Sequence, residues 1–361
     1  MARVYNFSAG PSMLPVSVLE KAQSELLEYE KSGQSVMEMS HRSSVYDAII
    51  KDTEAALRRV LSIPDNYRVG FFGGGASMQF DMVPLNLMTT GEADYIVTGQ
   101  FSKKAASEAK KFGTVHVIAS SADDNFTRIP DVNTLSYSPN ASYVHICENN
   151  TIYGSRYAQL PTPPAGIPLV ADMSSCILSR PTDVSKYGVI YFGVQKNVAP
   201  AGMAVAIIRE DLVGKAAESV PSMLNYKTIL DEDSMYNTPP CYNIYMMGLV
   251  LKWIENDIGG LANMEKNNNE KAALLYDYLD SQSFYKAPVQ KEYRSIMNVT
   301  FTSPSPELDA KFCAEAAKQG FVNLKGHRSV GGMRASIYNA MPKEGVAKLV
   351  ELMKAFAAEN A

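Results

Sequence analysis

An acidic and a basic residue follow two short apolar segments near the middle of the chain. Asp172 comes directly after Pro168–Ala171, and Lys196 comes shortly after Val189–Phe192. A lysine at the end of a buried strand is costly unless it is paired or used chemically, and one such use is a Schiff base to an aldehyde cofactor. Pyridoxal phosphate also needs a carboxylate beside its ring nitrogen. The pair therefore fits a pyridoxal-phosphate site, and a turn-capping aspartate with a surface lysine fits the same spacing.

A glycine-rich turn ends another apolar segment. Gly73–Gly75 precedes Ala76 and Ser77, and a helical pattern starts near Met78. Backbone amides at a helix N-terminus bind phosphate, and glycine allows the anion to approach closely. The spacing is neither GxGxxG nor that of a P-loop, so it indicates neither a dinucleotide nor ATP. We interpret the turn as a phosphate-binding loop, with a flexible helix-capping turn as the alternative.

Two of the four histidines precede arginines, and these pairs are candidates for anion binding. The pairs are His41-Arg42 and His327-Arg328, and Arg334 follows the second pair. Guanidinium groups match carboxylate and phosphate oxygens with two parallel hydrogen bonds. Several such groups suit a substrate with two separated anionic ends, whereas any one of them alone is typical of a solvated surface.

Composition limits the partners and the location. The net charge is −4, so no broad basic surface is expected, and neither nucleic acid nor an anionic membrane is indicated as a partner. No apolar run approaches the roughly 18 residues of a membrane helix, and the first residues lack the pattern of a secretory signal. The four cysteines are far apart and form no CxxC pair, which argues against disulfides and zinc. We therefore expect a cytoplasmic protein without a bound metal.

Short segments rich in valine, isoleucine and aromatic residues alternate with helical patterns. Near-continuous apolar strands separated by helices are typical of an α/β protein with a mainly parallel sheet that helices cover on both faces. Functional loops of such a sheet lie at the carboxyl ends of its strands. The predicted strands are 68–72, 95–98, 114–118, 143–147, 168–171, 189–192 and 203–208.

The two ends of the chain have a different texture. A periodic apolar pattern predicts a helix over 16–32, which Gly33 ends. The C-terminal part predicts a smaller α+β block with helices over 264–279, 307–318 and 344–358 and strands over 296–302 and around Ser336. We therefore expect a large cofactor-binding domain of residues 16–260 and a small domain of residues 1–15 and 261–361.

Taken together, these motifs resemble the class V group of fold-type I pyridoxal-phosphate enzymes, and within it the phosphoserine aminotransferase family. The resemblance extends nearly from end to end, and so many motifs in one order are highly specific. It is carried by the segments 7–15, 39–43, 73–77, 148–154, 172–175, 179–181, 195–197, 236–240 and 326–336.

The resemblance implies pyridoxal 5'-phosphate as the cofactor and a role for each candidate residue. Lys196 would hold the cofactor covalently and move the substrate proton, and Asp172 would pair with the pyridine nitrogen. The other implied cofactor contacts are the ring-stacking Phe101, where many relatives have Trp, the ring-contacting Thr151, and the phosphate-binding Ala76, Ser77, Gln195, Asn237 and Thr238. The implied substrate contacts are Arg334 for the α-carboxylate and His41, Arg42, His327 and Arg328 for the phosphate or the glutamate side chain.

The resemblance also implies a reaction and an assembly. The amino group of L-glutamate would pass to 3-phosphohydroxypyruvate, giving O-phospho-L-serine and 2-oxoglutarate in serine biosynthesis. Bacterial relatives also use a phosphorylated four-carbon oxo acid in pyridoxine biosynthesis, and the sequence leaves that use open. The implied assembly is a homodimer with shared active sites, in which Asn237 and Thr238 reach the neighbouring cofactor.

Three alternatives remain at this point. A monocarboxylate enzyme such as an alanine–glyoxylate aminotransferase would not need the His-Arg pairs. A cysteine desulfurase needs a nucleophilic cysteine on a mobile loop, and none of the four cysteines has a marked setting; Cys176 receives no role. A non-catalytic binding protein on the same fold would need neither Asp172 nor Lys196.

Overall fold

The structure is a computed structural model that describes residues 3–360. The strands in chain order are β1 (Tyr5–Asn6), β2 (Tyr67–Gly73), β3 (Glu92–Val97), β4 (Thr114–Ser120), β5 (Val144–Cys147), β6 (Asn149–Asn150), β7 (Ser155–Arg156), β8 (Leu169–Asp172), β9 (Val189–Gly193), β10 (Met203–Arg209), β11 (Asn298–Phe301), β12 (Phe321–Val322) and β13 (Met333–Ser336). The α-helices are α1 (Val16–Ser24), α2 (Ser44–Leu61), α3 (Ala76–Leu87), α4 (Gln100–Ala109), α5 (Tyr226–Asp231), α6 (Cys241–Trp253), α7 (Leu261–Ser281), α8 (Pro306–Lys318) and α9 (Lys343–Asn360).

A seven-stranded sheet with the order β2-β10-β9-β8-β5-β3-β4 forms the centre of the molecule. Strand β10 is antiparallel to both of its neighbours, and the other paired strands are parallel. Alternate side chains of a strand point to opposite faces, so Leu169 and Ala171 of β8 enter one apolar cluster and Val170 enters another. The sequence prediction of a mainly parallel sheet that is covered on both faces is confirmed.

The first helix is shorter than its sequence pattern predicts. The prediction extended to residue 32, but α1 ends at Ser24, so that prediction was wrong beyond this point. Glu30 and Lys31 have φ angles of 43° and 64°, in the left-handed region that a helix cannot include. Leu26, which belongs to the apolar pattern behind the prediction, is 39% exposed, so it gains little burial that would stabilise another helical turn.

A separate apolar cluster forms from the C-terminal residues and from Phe7 near the N-terminus. Helix α7 joins the two regions, because Leu261 and Met264 at its start pack in the cluster of the large sheet, whereas Ala272 packs in the C-terminal cluster. The buried Lys271 between them donates hydrogen bonds from Nζ to main-chain carbonyls of the segment after β13, at 2.8–3.4 Å. We propose that the two domains divide at residue 260, with residues 1–15 in the small domain.

Within residues 3–360, no helix combines the length and the apolar character that crossing a bilayer requires. In the same range, no group of three or more histidine, cysteine, aspartate and glutamate side chains is arranged to hold a metal ion.

Candidate active site

A cavity of about 520 Å³ lies at the carboxyl ends of the central strands. The loops after β2, β3, β5, β8 and β9 line it on one side, and residues of the C-terminal region and of the N-terminal segment close it on the other. Ten of the fourteen residues that the sequence singled out line this cavity: Ala76, Ser77, Phe101, Thr151, Asp172, Gln195, Lys196, His327, Arg328 and Arg334.

Lys196 lies just beyond the end of β9 and is 8% exposed. Its Nζ donates a hydrogen bond of 2.8 Å to Oγ1 of Thr151 and lies 5.5 Å from the centroid of the Phe101 ring. Burial lowers the pKa of Lys196, and the nearby charge of Asp172 partly offsets this. The structure therefore supplies an amine that loses its proton more easily than an exposed lysine does.

Asp172 is the last residue of β8 and is 5% exposed. Its Oδ1 accepts hydrogen bonds from the backbone N–H and the hydroxyl of Ser174, at 2.9 and 2.6 Å. Burial raises the pKa of Asp172, and the hydrogen bonds from Ser174 and the charge of Lys196 oppose that rise. Because Ser174 occupies only Oδ1, the second carboxylate oxygen has no hydrogen-bond partner among residues 3–360 and can accept one from a bound group.

The N-terminus of α3 opens onto the same cavity. Gly75 caps this helix without any side-chain hydrogen bond, so the amides of Ala76 and Ser77 belong to the first turn, which has no intrahelical partners. Gly74 has a φ angle of +104°, a conformation that residues with side chains rarely adopt. The triple glycine therefore bends the chain so that free amides and the positive end of the helix dipole face the cavity.

Arg334 of β13 reaches the cavity from the C-terminal region. Its Nη1 donates a hydrogen bond of 3.3 Å to the main-chain oxygen of Thr151, and its buried Nε has no partner in the described residues. An unpaired buried donor is unfavourable, and burial also lowers the pKa of Arg334. A carboxylate bound in the cavity could accept a hydrogen bond from Nε and would also stabilise the positive charge of the guanidinium.

His327 and Arg328 lie on a tight loop before β13. The amide of Gly326 donates a 2.8 Å hydrogen bond to the main-chain oxygen of Gly332, which closes the loop. A side chain at position 326 would lie 1.9 Å from the carbonyl oxygen of Gly331, so only glycine fits there. Within the loop, Nδ1 of His327 pairs with Oγ of Ser329 at 2.7 Å, which orients the imidazole.

Four predicted residues do not line the cavity of this single chain. His41 is half-buried and its Nε2 has no partner among the described residues, and Arg42 is exposed. Asn237 and Thr238 are exposed on the loop before α6. One chain alone therefore does not bring these four side chains to Lys196.

Sequence reasoning missed two structural supports of the site. Ser174 bridges Asp172 and the strand end of β9, because its hydroxyl also accepts a 3.0 Å hydrogen bond from the amide of Gly193. The Asp-x-Ser spacing is a local turn signal that would have indicated the first of these contacts. Gly10 packs against Lys196, and a side chain there would meet Cγ of Lys196 at 3.3 Å; no local pattern signals this long-range contact.

The cysteines offer no activated thiol. Cys147 and Cys176 are buried, and burial raises the pKa of both thiols well above the usual value. Burial also raises the pKa of Cys241, and it raises the pKa of Cys313 to about 11. Since the thiolate is the nucleophile, these settings do not favour a cysteine desulfurase.

Comparison with known proteins agrees with this geometry. The family model described as aminotransferase class-V matches residues 4–349. Curated proteins named phosphoserine aminotransferase are 54% identical in Bacillus cereus strain ATCC 14579, over 100% of both chains, and 54% identical in Listeria monocytogenes serovar 1/2a, over 99% of this chain and 97% of the relative.

Solved structures extend the comparison. The phosphoserine aminotransferase of Bacillus circulans subsp. alkalophilus has a TM-score of 0.97 at 46% identity, over 99% of both chains. The pyridoxal-phosphate-bound phosphoserine aminotransferase of Trichomonas vaginalis has a TM-score of 0.93 at 40% identity, over 98% of this chain and 100% of the other. An alanine–glyoxylate aminotransferase from Nostoc, at 17% identity and a TM-score of 0.76, shares the fold alone. The chain therefore belongs to the class V aminotransferases of fold type I and, within them, to the phosphoserine aminotransferase family.

Proposed function

We propose that this chain is a pyridoxal-phosphate-dependent aminotransferase that moves the amino group of L-glutamate to 3-phosphohydroxypyruvate, forming O-phospho-L-serine and 2-oxoglutarate. One arrangement carries the proposal. Lys196 and Asp172 share a cavity with two separate cationic groups, Arg334 on β13 and the His327–Arg328 pair on its own loop. The amino-group donor, glutamate, and the acceptor, 3-phosphohydroxypyruvate, each carry an α-carboxylate and a second anionic group, which matches that arrangement.

The residues of the cavity fit the cofactor. Pyridoxal phosphate, when bound, supplies an electron sink that stabilises negative charge at the substrate Cα. The unpaired carboxylate oxygen of Asp172 can accept a hydrogen bond from a protonated ring nitrogen. The amides of Ala76 and Ser77, with the side chain of Gln195 nearby in the lining, offer donors for the phosphate. Phe101 offers a flat apolar face for the ring.

Lys196 can carry the substrate proton in both halves of the reaction. In the first half, Nζ would take the Cα proton of glutamate and pass it to the carbon of the bound cofactor that carries the nitrogen; in the second half, Nζ would take a proton from that carbon and deliver it to Cα of the oxo acid. The lowered pKa of Lys196 moves this amine towards the range in which a general base works efficiently near neutral pH. Thr151 holds Nζ at 2.8 Å, so the amine stays in position when it is free.

The anion contacts decide which substrates enter. Arg334 would bind the α-carboxylate that all four reactants share, since its buried Nε lacks a partner. His327 and Arg328 would bind the far anion, which is a phosphate in one substrate and a carboxylate in the other. A planar guanidinium suits both because it matches the two oxygens of either group.

A half-reaction experiment tests the proposal. The purified protein should be yellow with bound cofactor, and glutamate alone should change its visible spectrum. Adding 3-phosphohydroxypyruvate should restore the first spectrum, whereas glyoxylate or pyruvate at equal concentration should not. Restoration by glyoxylate in preference would support the monocarboxylate alternative. Borohydride reduction followed by peptide mapping should place the cofactor on Lys196, and a label elsewhere would contradict the site.

We also propose that the active enzyme is a homodimer in which His41, Arg42, Asn237 and Thr238 complete the neighbouring site. Their position outside the cavity of their own chain supports this. Large apolar side chains are exposed nearby in sequence, with Met37 59% and Tyr236 45% exposed, as expected of a surface that a second copy covers.

The four free cysteines support our further proposal of a reducing cytoplasmic location.

A further inference from the structure

Helix α4 contributes a cation to the cavity that neither the motifs nor the resemblance singled out. Gln100, Phe101 and Lys104 of this helix line the cavity, and their spacing places them on one helical face. The side chain of Lys104 is exposed at the rim, with Nζ 5.8 Å from the centroid of the Phe101 ring. Lys103, the neighbouring residue, is also exposed but does not line the cavity.

Lys104 has no acidic partner among residues 3–360. Glu108, four residues further along α4, is at the spacing at which a helix normally pairs a lysine with a glutamate. Glu108 instead pairs with Lys111. Within the lining of the cavity, the one acidic side chain of the described residues is Asp172, which is buried. The charge of Lys104 therefore remains free for a ligand.

The loop before β13, which carries His327 and Arg328, lines the same cavity as Lys104. The pKa of His327 is lowered, first by burial and then by the charges of Arg334, Arg328 and Lys104. Lys104 and His327 line the same cavity, although the two residues are on different elements. An anion bound in this part of the cavity would reduce the repulsion among the positive charges of Lys104, Arg328 and Arg334.

We propose that Lys104 is a substrate-binding, specificity-determining residue that receives the second anionic group of the substrate together with His327 and Arg328. The inference rests on the proposed function and extends it. A lysine is a point charge on a flexible stem, so it can follow anions at different distances from Cα. That property suits a site that must accept both a phosphate and the side-chain carboxylate of glutamate. A phosphate dianion gains more from this contact than a carboxylate because it carries more charge.

Steady-state kinetics of the Lys104→Gln and Lys103→Gln holoenzymes test the proposal. Lys104→Gln should raise KM for 3-phosphohydroxypyruvate about tenfold, as expected for a charge-assisted contact that solvent partly screens, and should leave kcat within about twofold. KM for glutamate should rise less, and Lys104→Arg should retain most of the wild-type affinity. Lys103→Gln removes the same charge from the same helix, so it should resemble the wild type. Equal effects of the two glutamine variants would overturn the proposal.

Binding of inorganic phosphate to the holoenzyme, measured by calorimetry, separates this inference from the proposed function. Weaker binding in Lys104→Gln but not in Lys103→Gln would support the anion contact even if the wild type did not use 3-phosphohydroxypyruvate. If the wild type is active but Lys104→Gln has the same phosphate affinity and the same KM, this inference is wrong and the proposed function is unaffected. The variant should also raise the pKa of His327, measured by NMR, because a nearby positive charge is gone; an unchanged value would count against the contact.

Discussion

The two halves of the cavity are built on different principles. In the cofactor half, the side chains of Thr151, Asp172 and Lys196 are at most 8% exposed, and hydrogen bonds orient each of them at the end of a sheet strand. In the anion half, Arg328 is exposed on a loop, and Arg42 lies outside the cavity of its own chain. The sheet topology therefore positions Lys196 and Asp172, and we propose that substrate selection depends on the C-terminal region and on a second chain.

Burial explains why the two halves should respond differently to mutation. It lowers the pKa of Lys196 and raises that of Asp172, so each group is tuned by an environment that water does not screen. Exposed charges such as Arg328 interact through solvent and salt, and each contributes less. Changes in the cofactor half should therefore abolish chemistry, and changes in the anion half should alter affinity.

The largest effect should come from Lys196→Ala. Without the amine, the Cα proton has no carrier, and general acid–base catalysis of this kind typically supplies up to about 10⁴-fold in rate. We expect kcat to fall by about that factor, with the variant still folded, as circular dichroism and thermal unfolding should show. A variant that kept more than a tenth of the activity would remove Lys196 from the mechanism.

A smaller effect, on both substrates alike, should follow from Arg334→Lys. The variant keeps the charge but loses the paired donors that match a carboxylate, so kcat/KM should fall about 100-fold for glutamate and for 3-phosphohydroxypyruvate, within the range of charge-assisted hydrogen bonds. The control is Arg294→Lys, since Arg294 also makes a paired contact, to Asp280, but outside the cavity. If only one substrate responded, the assignment to the shared α-carboxylate would be wrong.

A more selective effect should follow from Arg42→Ala, which tests the shared site. The variant should weaken use of 3-phosphohydroxypyruvate by at least about tenfold, as the loss of one charge-assisted contact predicts. Refolding an equal mixture of Arg42→Ala and Lys196→Ala chains should then recover about a quarter of wild-type activity. About half of the dimers in such a mixture are hybrids, and each hybrid would contain one intact site of its two. No recovery in a mixture that demonstrably forms hybrids would place Arg42 in the site of its own chain.

The smallest effect on activity should follow from His145→Gln, which should instead make the free energy of unfolding less dependent on pH. His145 stacks on Tyr95 and pairs with the Tyr191 hydroxyl at 2.8 Å, and burial lowers its pKa to about 3. The unfolded chain therefore binds a proton below pH of about 6.5 that the folded chain does not, so stability is lost as the pH falls from there towards 3.

This pH dependence gives the measurement for His145→Gln. The glutamine keeps a partner for Tyr191 but does not titrate, so chemical denaturation between pH 7 and 4 should show a shallower loss of unfolding free energy. The matched control is His116→Gln at the protein surface, where His116 pairs with Glu92. An unchanged pH slope in the His145 variant would show that the buried imidazole does not control acid stability.

Much of the fold was predictable because its signals are local. The apolar segments before Asp172 and Lys196 are continuous, and only a sheet covered on both faces makes that pattern favourable. The end of α1 was mispredicted because the apolar pattern continued through Leu26 towards residue 32, although Leu26 is 39% exposed and the backbone at Glu30 and Lys31 is left-handed. The contact between Gly10 and Lys196 was invisible for a related reason, since it joins segments far apart in the chain.

By itself, the sequence determined the kind of chemistry, through the residue types at the ends of its apolar strands and through motifs that resemble one enzyme family. Only the tertiary structure decided which charged residues face the cavity, because exposure of a charge costs little anywhere on a surface and leaves no pattern in the sequence. Lys103 and Lys104 are adjacent and have the same side chain. Successive residues of a helix are rotated by about 100°, so Lys104 lines the cavity and Lys103 does not.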